Sequence, residues 1–333
     1  MNSIYIVEPG TYLRKDGGCL LVESEKDKEQ NKRRIPLETV NDIVLASSAQ
    51  ISSELVQYLL DKKIPVVWIN NSGYYLGSLQ SESNVDVEKH LQQVSLLWKK
   101  TAYLEMEKKI IKAKVNNQVV VLRRYNRTLQ DESVVSAIKA IYAVAKHIEF
   151  CNDYLKIMGY EGIISREYYK GFSKVLPMEF QFTKRTKRPP KDEINAMLSM
   201  GYSMLFNEML TNVNICGLHP YIGFLHRIRK HHAALVSDLM EEWRTVIVDS
   251  MVLNMVKRKM VKKEMFRTED GGCYFTKDGL KLFLAEYNKK LMCEVDYLQN
   301  NSTYRDLIKH QCRQYAKFVM SGDVSVYEPI LMR

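Results

Sequence analysis

The apolar residues of this chain change their period once, and the change falls in a short polar stretch, Gln80-Ser-Glu-Ser-Asn-Val-Asp-Val87. Before it they come in short runs suited to strands; after it they recur at three- and four-residue intervals, as in helices packed on one another. A chain patterned this way is α+β: a small β-rich N-terminal domain over residues 1–80, a linker at 81–88, and a larger all-α C-terminal domain over 89–333.

In the first part Ser3–Val7, Thr11–Arg14 and Cys19–Glu23 read as strands, with Asp16-Gly17-Gly18 as the turn between the last two. Asp42–Leu45 and Ile64–Ile69 continue the pattern, Ser52 or Ser53 can cap a helix carrying Leu55, Leu59 and Leu60, and Asn70 to Gly73 turns the chain into Tyr74–Leu79. This region holds no titratable cluster with ligand or triad spacing. Its sheet edges suit pairing with a second copy, giving a homodimer.

In the second part the spacing predicts helices over about 90–114, with Leu91, Val94, Leu97, Tyr103 and Met106 inward, then about 117–129 and 133–158. Met158 to Gly162 reads as a turn, Asp192–Leu210 as a helix, and Tyr304–Met320 as the last helix. Charge follows the same division. Through Asn84 there are nine Lys and Arg against eleven Asp and Glu, and beyond it 40 against 28, so the helical part carries a surplus of twelve and accounts for the positive net charge of the whole chain. Such a surface suits nucleic acid, anionic lipid or an acidic protein, and equally suits solvated helix faces.

No run of apolar residues is long enough for a transmembrane helix and the start lacks a leader pattern, so the expectation is a cytoplasmic protein with no membrane partner. The six cysteines form no C-x-x-C, which disfavours a zinc ribbon or a disulfide framework. The local geometries of nucleotide-binding loops, dinucleotide folds, serine hydrolases and H-E-x-x-H metalloproteases are also missing.

Chemistry concentrates between Gly217 and Arg244. A helix from about Ala233 puts Leu235, Val236, Leu239, Met240, Trp243, Val246 and Ile247 on one stripe and Asp238, Glu241, Glu242 and Asp249 on the opposite face, with His226 one loop before it. One imidazole and several carboxylates, with no thiolate, suit Mn²⁺ or Mg²⁺. The same stripe is also the pattern of solvated charges. His231-His232 extends a basic loop. A second basic loop, Lys184-Arg185-Thr186-Lys187-Arg188, lies beside Phe180 and Phe182; its cations can neutralise phosphates, and the rings can stack on bases or pack inward. Neutralising about six phosphates implies a log–log salt slope of roughly −5 on duplex DNA. Tyr168 and Tyr169 divide in the same way between core packing and contact with DNA.

Four motifs together resemble the Cas-one family, the CRISPR-associated integrase and endonuclease of spacer acquisition. They are Glu161-Gly162 with Arg166 and Tyr168-Tyr169; Arg188-Pro189-Pro190 with Asp192, Asn195-Ala196, Leu198-Ser199 and Gly201-Tyr202; Gly217-Leu218, Pro220 and Gly223-Phe224-Leu225-His226; and Asp238-Leu239-Met240-Glu241-Glu242 with Arg244 and Asp249. With the strand-rich start and the overall length, the resemblance covers essentially the whole chain.

The resemblance implies a Mn²⁺ or Mg²⁺ site on Glu161, His226 and Glu241, with Asp238 as a further catalytic position and Glu242 a weaker one. The candidate DNA contacts are Arg166, Tyr168, Lys184, Arg185, Lys187, Arg188, Arg227, Arg229 and Arg244. The resemblance also implies partners: double-stranded DNA with 3′ ends, CRISPR repeat DNA, a second copy, and a small Cas-two dimer that completes a four-plus-two complex. The implied reaction is attack by a 3′-hydroxyl on a phosphodiester at the repeat boundary. His219 stands where the family has an acidic residue or Asn, Trp243 replaces Phe, Thr245 replaces Pro, and Ile163-Ile164-Ser165 replaces a small-residue run. His219 therefore bears on whether a second polar contact at the site is altered. A non-catalytic DNA-binding scaffold and a stand-alone branched-DNA repair nuclease are the alternatives.

Overall fold

The computed structural model describes residues 2–24, 32–70, 75–81, 85–180, 182–226, 228–297 and 300–332. Strands β1 (Asn2–Ile6), β2 (Thr11–Asp16), β3 (Cys19–Ser24), β4 (Arg33–Pro36), β5 (Val40–Leu45), β6 (Ala49–Ile51), β7 (Val66–Ile69) and β8 (Tyr75–Leu79) form two four-stranded sheets, ordered β1-β5-β7-β8 and β4-β3-β2-β6. Helix α1 (Ser53–Asp61) precedes β7, and Ser52 is its cap, accepting from the Leu55 N–H at 3.3 Å. The end of β5, Ile43–Leu45, is continuously apolar because both its faces are covered. Ile43 and Leu45 join Leu13, Leu20, Leu55 and Leu59 in the N-terminal core, while Val44 joins the core of the helical part. The expected turn at Asn71 to Gly73, with Tyr74, lies outside the described residues.

The helical part differs from the sequence expectation in where its helices break. Helix α2 (Val87–Trp98) ends at Lys99 and α3 (Lys100–Leu129) then runs without interruption. The break lets Gln93 turn inward, where its amide donates to the carbonyls of His219 and Ile222 at 3.1 and 3.2 Å; Leu91 and Val94, expected inside, are exposed. The expected division of α3 near residue 115 does not occur. Asn117, a poor helix former, is held by tertiary hydrogen bonds to Glu242 O and Ile330 O, and such contacts override propensity. Helix α4 (Glu132–Glu149) ends earlier than expected, and α5 (Tyr154–Val175) absorbs the stretch read as a turn. Gly159 and Gly162 lie on its exposed side, Asp153 caps its first turn, and Ile157, Ile164, Tyr168 and Phe172 bury the other face.

Helix α6 (Glu193–Ile215) is capped by Asp192 and buried along most of its length. The segment read as one amphipathic helix is α7 (Ala234–Leu239), the single turn α8 (Glu241–Trp243), a π turn at Arg244–Asp249, and α9 (Ser250–Lys257). Its acidic side chains do not face solvent: Asp238, Glu241, Glu242 and Asp249 are between 0% and 5% exposed. Buried carboxylates need individual partners, and each of these has its own. Beyond α9, two ribbons, β9 (Phe266–Glu269) with β10 (Gly272–Phe275) and β11 (Glu294–Tyr297) with β12 (Asn300–Thr303), add strands to a region expected to be all-α. They flank α10 (Lys277–Leu291), and α11 (Tyr304–Ser321) closes the fold. The chain is thus α+β, β-rich first and mostly helical after. Among the described residues no helix is long and apolar enough to cross a membrane.

Candidate metal centre and nucleic-acid face

Helices α3, α5 and α8 bring three side chains together. Lys114, on the buried face of α3, donates to Glu161 Oε1 of α5 and to Glu241 Oε2 of α8, the latter at 2.7 Å. Ser165, one turn after Glu161, donates to the same Oε1 at 2.8 Å. Arg244 Nε donates to Glu241 Oε1 at 2.8 Å, with its guanidinium 4.8 Å from the centre of the Tyr202 ring. His226 Nε2 faces this Glu241 oxygen at 4.0 Å.

Asp238 is one layer behind. Its Oδ2 accepts the backbone N–H groups of Phe224 and Leu225 at 2.6 and 3.0 Å, and its Oδ1 takes the His226 N–H at 2.8 Å and ring Nδ1 at 2.6 Å. Both oxygens are therefore occupied, and Asp238 orients the imidazole so that Nε2 is the nitrogen directed at Glu241. This is the support that a metal-binding histidine receives from a carboxylate. Gly223 makes the close approach possible: a Cβ there would lie 2.4 Å from Asp238 Oδ2 and 2.8 Å from Ala234.

Electrostatics keep both site carboxylates ionised. Burial opposes charge on Glu241, yet Arg244, Lys114 and His226 hold its pKa far below the ordinary range. Burial and Glu241 oppose charge on Glu161, but Lys114 and Ser165 prevail and its pKa is lowered too. Lys114 is in turn raised, since the two carboxylates outweigh its burial. Among the described residues no three Asp, Glu, His or Cys side chains enclose an ion as they stand; the Lys114 ammonium occupies both carboxylates. The donor set of one imidazole and two ionised carboxylates nevertheless fits Mn²⁺ or Mg²⁺, with that ammonium standing in for a cation between Glu161 and Glu241.

The remaining acidic residues point elsewhere. Glu242 accepts from Tyr327 and from the Ile330 N–H, and burial pushes its pKa up to about 8. Asp249 accepts from Tyr168, Tyr202 and Thr245 at 2.8, 2.5 and 3.1 Å. His219 lies edge-on to His90, 5.2 Å between ring centres, and its loop is held by Gln93, away from the candidate site. His232 stacks edgewise near His226 at 5.8 Å.

The DNA-binding expectations separate in the same way. Tyr168 is fully buried with its hydroxyl committed to Asp249, so it is a core residue and not a DNA contact. Phe180 and Phe182 are buried as well, Phe182 packing on Phe172 and Tyr169. Arg185 is tied down: Nη1 donates to Asn195 Oδ1 at 2.7 Å and Nη2 to Ser199 Oγ at 3.0 Å, so its role is to shape the loop. Arg244 is bonded to Glu241 and belongs to the Lys114–Glu161–Glu241 cluster. Arg166, Lys184, Lys187, Arg188 and Arg229 are exposed, Arg166 in a pair with Glu167 at 3.3 Å. Partial burial of its ammonium and the Arg244 and Arg185 charges lower the pKa of Lys187. Arg227 lies outside the described residues.

Lys114 is the residue of this cluster that the sequence expectation omits. Its signal is a lysine on the apolar stripe of α3, four residues after Ile110 and eight after Met106.

A family model described as CRISPR associated protein Cas1 matches residues 4–289. An exonuclease Cas4/endonuclease Cas1 fusion from Geobacter sulfurreducens is 30% identical over 340 residues, 99% of this chain but 60% of the fusion, so the chain spans well under the full length of that relative. The CRISPR-associated endonuclease Cas1 of Clostridium perfringens is 30% identical over 337 residues, 98% of this chain and 97% of its own length. In three dimensions the chain is similar to a CAS1 protein from Thermotoga maritima, with a TM-score of 0.81 at 25% identity over 96% of this chain and 97% of that one.

Proposed function

The chain belongs to the family of CRISPR-associated Cas1 proteins, and from that premise we propose that it is a metal-dependent DNA endonuclease and integrase that inserts short duplexes into a CRISPR array. The observation that carries this reading is the convergence of Glu161, Glu241 and His226, from two helices and a loop, on one site around the Lys114 ammonium. Glu161, Glu241 and His226 would hold Mn²⁺ or Mg²⁺. A bound divalent cation supplies Lewis-acid polarisation of a phosphoryl oxygen and lowers the pKa of an attacking hydroxyl.

The chain's own residues do the rest. Asp238 fixes the His226 ring, Arg244 and Lys114 hold Glu241 ionised, and the exposed Lys184 and Lys187 are available to a phosphate backbone. In strand transfer a 3′-oxygen bonds to phosphorus as the scissile P–O bond breaks, and the hydroxyl proton ends on the released 3′-oxygen. The number of phosphodiesters is unchanged, so no nucleotide hydrolysis is required. With water as nucleophile the same step is endonucleolytic cleavage. Family membership supports two further parts of the reading, a homodimer and a small Cas-two partner dimer that together engage duplex DNA with 3′ ends and repeat DNA.

The test is strand transfer of a short duplex into a repeat-bearing plasmid with Mn²⁺, with and without the small partner. His226→Ala should abolish product while duplex binding survives. Product formation by that variant would overturn the reading, and cleavage of branched DNA with no preference for a repeat would assign a repair nuclease instead.

A further inference from the structure

The chain after α11 folds back behind the candidate metal centre. Gly322, in the left-handed region at φ 73°, ends the helix, and residues 323–332 then run to α3 and α8. Tyr327 is fully buried; its hydroxyl accepts from Gln311 Nε2 and donates to Glu242 Oε1, both at 2.5 Å. The Ile330 N–H donates to the other Glu242 oxygen at 2.9 Å. Asn117 of α3 joins the two segments: its amide donates to Glu242 O at 3.0 Å and Ile330 O at 2.9 Å, and its Oδ1 accepts from the Met332 N–H at 2.8 Å. Gln311 adds a second tie, accepting from Trp243 Nε1 at 2.5 Å and donating to Leu239 O at 3.3 Å.

These bonds grip residues 239, 242 and 243 from behind, while Glu241 between them faces Lys114 on the other side. Asn117 and Lys114 are three residues apart on α3, about one turn. The back of the site and its front are therefore fixed by the same two elements. α8 is one turn long and is followed by a π turn, so little within its own backbone sets the direction of the Glu241 side chain. Lys114 and Arg244 bond the carboxylate itself from the front; of the residues that hold α8 from behind, Asn117 lies within the family match, and Gln311, Tyr327 and Ile330 lie beyond residue 289, where it ends.

We infer that the C-terminal segment 323–332 is a strap that positions Glu241 by holding Glu242 and Asn117, with Tyr327 as its principal positioning residue. The inference rests on the proposed reading of Glu161, His226 and Glu241 as a metal centre, and it adds the element that fixes one ligand.

The variants are Tyr327→Phe, which removes one hydroxyl and keeps the ring, truncation after Gly322, and Leu331→Ala as an exposed control. Hydrogen exchange across residues 238–249 is measured without metal or DNA; titration with MnCl₂ alone and strand-transfer kinetics follow. The strap requires at least tenfold faster exchange in that segment for Tyr327→Phe, weaker Mn²⁺ binding by a similar factor, a lower kcat with an unchanged KM for DNA, and partial rescue by excess Mn²⁺. Leu331→Ala should match the parent. Unchanged exchange in Tyr327→Phe overturns the strap even if the truncation fails to fold. Faster exchange in Tyr327→Phe beside a parent chain that binds no Mn²⁺ keeps the strap and sinks the metal reading, so the two failures are distinguishable.

Discussion

Asp238 Oδ1 accepts both the backbone N–H and the ring Nδ1 of His226, at 2.8 and 2.6 Å, and so fixes which imidazole nitrogen faces Glu241. An asparagine in its place keeps one acceptor and turns an NH₂ toward N–H groups. Asp238→Asn is expected to lower Mn²⁺ affinity and strand transfer by about 10–100-fold, as for other partners of metal-bound histidines. Titration with Mn²⁺ and single-turnover strand transfer check this; parental values in both would remove Asp238 from the mechanism.

Lys114 offers a test that does not depend on DNA. Its ammonium is buried between Glu161 and Glu241, and deleting one partner of a buried ionic cluster costs about 3–5 kcal/mol. Lys114→Met is therefore expected to melt well below the parent in EDTA. Mn²⁺ should restore part of the loss, because a bound cation again compensates the two carboxylates, so the Mn²⁺-induced rise in Tm should be larger in the variant than in the parent. A smaller rise would show that the two carboxylates do not share an ion.

How far the sequence discloses this arrangement depends on whether a feature is local. The change of period near residue 80 and the hairpin at Asp16-Gly17-Gly18 are set by nearby residues, and Gly17 indeed lies at φ 57° between β2 and β3. The break between α2 and α3 and the continuity of α3 escape periodicity because Gln93 and Asn117 are held by segments more than 100 residues away. The carboxylates between Asp238 and Asp249 read as one solvated face, since helical periodicity places residues around an axis but does not reveal whether a second layer covers that side. Asp238, Glu241, Glu242 and Asp249 each meet a different distant partner, and only the motif resemblance joins Glu161 to them.

The basic loop separates by role. Lys184 and Lys187 are exposed, whereas Arg185 is bonded to Asn195 and Ser199. Lys184→Ala with Lys187→Ala is expected to make the log–log salt dependence of duplex binding shallower by about 0.9 for each phosphate no longer neutralised. Arg185→Ala should leave that slope unchanged and lower stability by roughly 1–3 kcal/mol, through unsatisfied groups on Asn195 and Ser199. Fluorescence anisotropy over a salt series, paired with urea unfolding, distinguishes these effects; a changed slope at parental stability for Arg185→Ala would assign it to DNA instead.

Glu107 on α3 is 2% exposed, and its Oε1 is buried with no hydrogen-bond partner among the described residues. Burial, with the Asp238 charge adding to it and Lys108 offsetting part, pushes its pKa from 4.5 up to about 8. The folded chain therefore retains a proton that the unfolded chain releases once the pH passes about 4.5. Stability attributable to this group is greatest below that pH, falls as pH rises toward about 8, and levels off above it. Glu107→Gln removes the ionisation while keeping the shape. It is expected to match the parent near pH 4.5 and to exceed it at about pH 8.5 by on the order of 1–3 kcal/mol. Urea unfolding of both chains at the two pH values measures the difference, and an equal stability gap at both would mean that Glu107 does not titrate in this window.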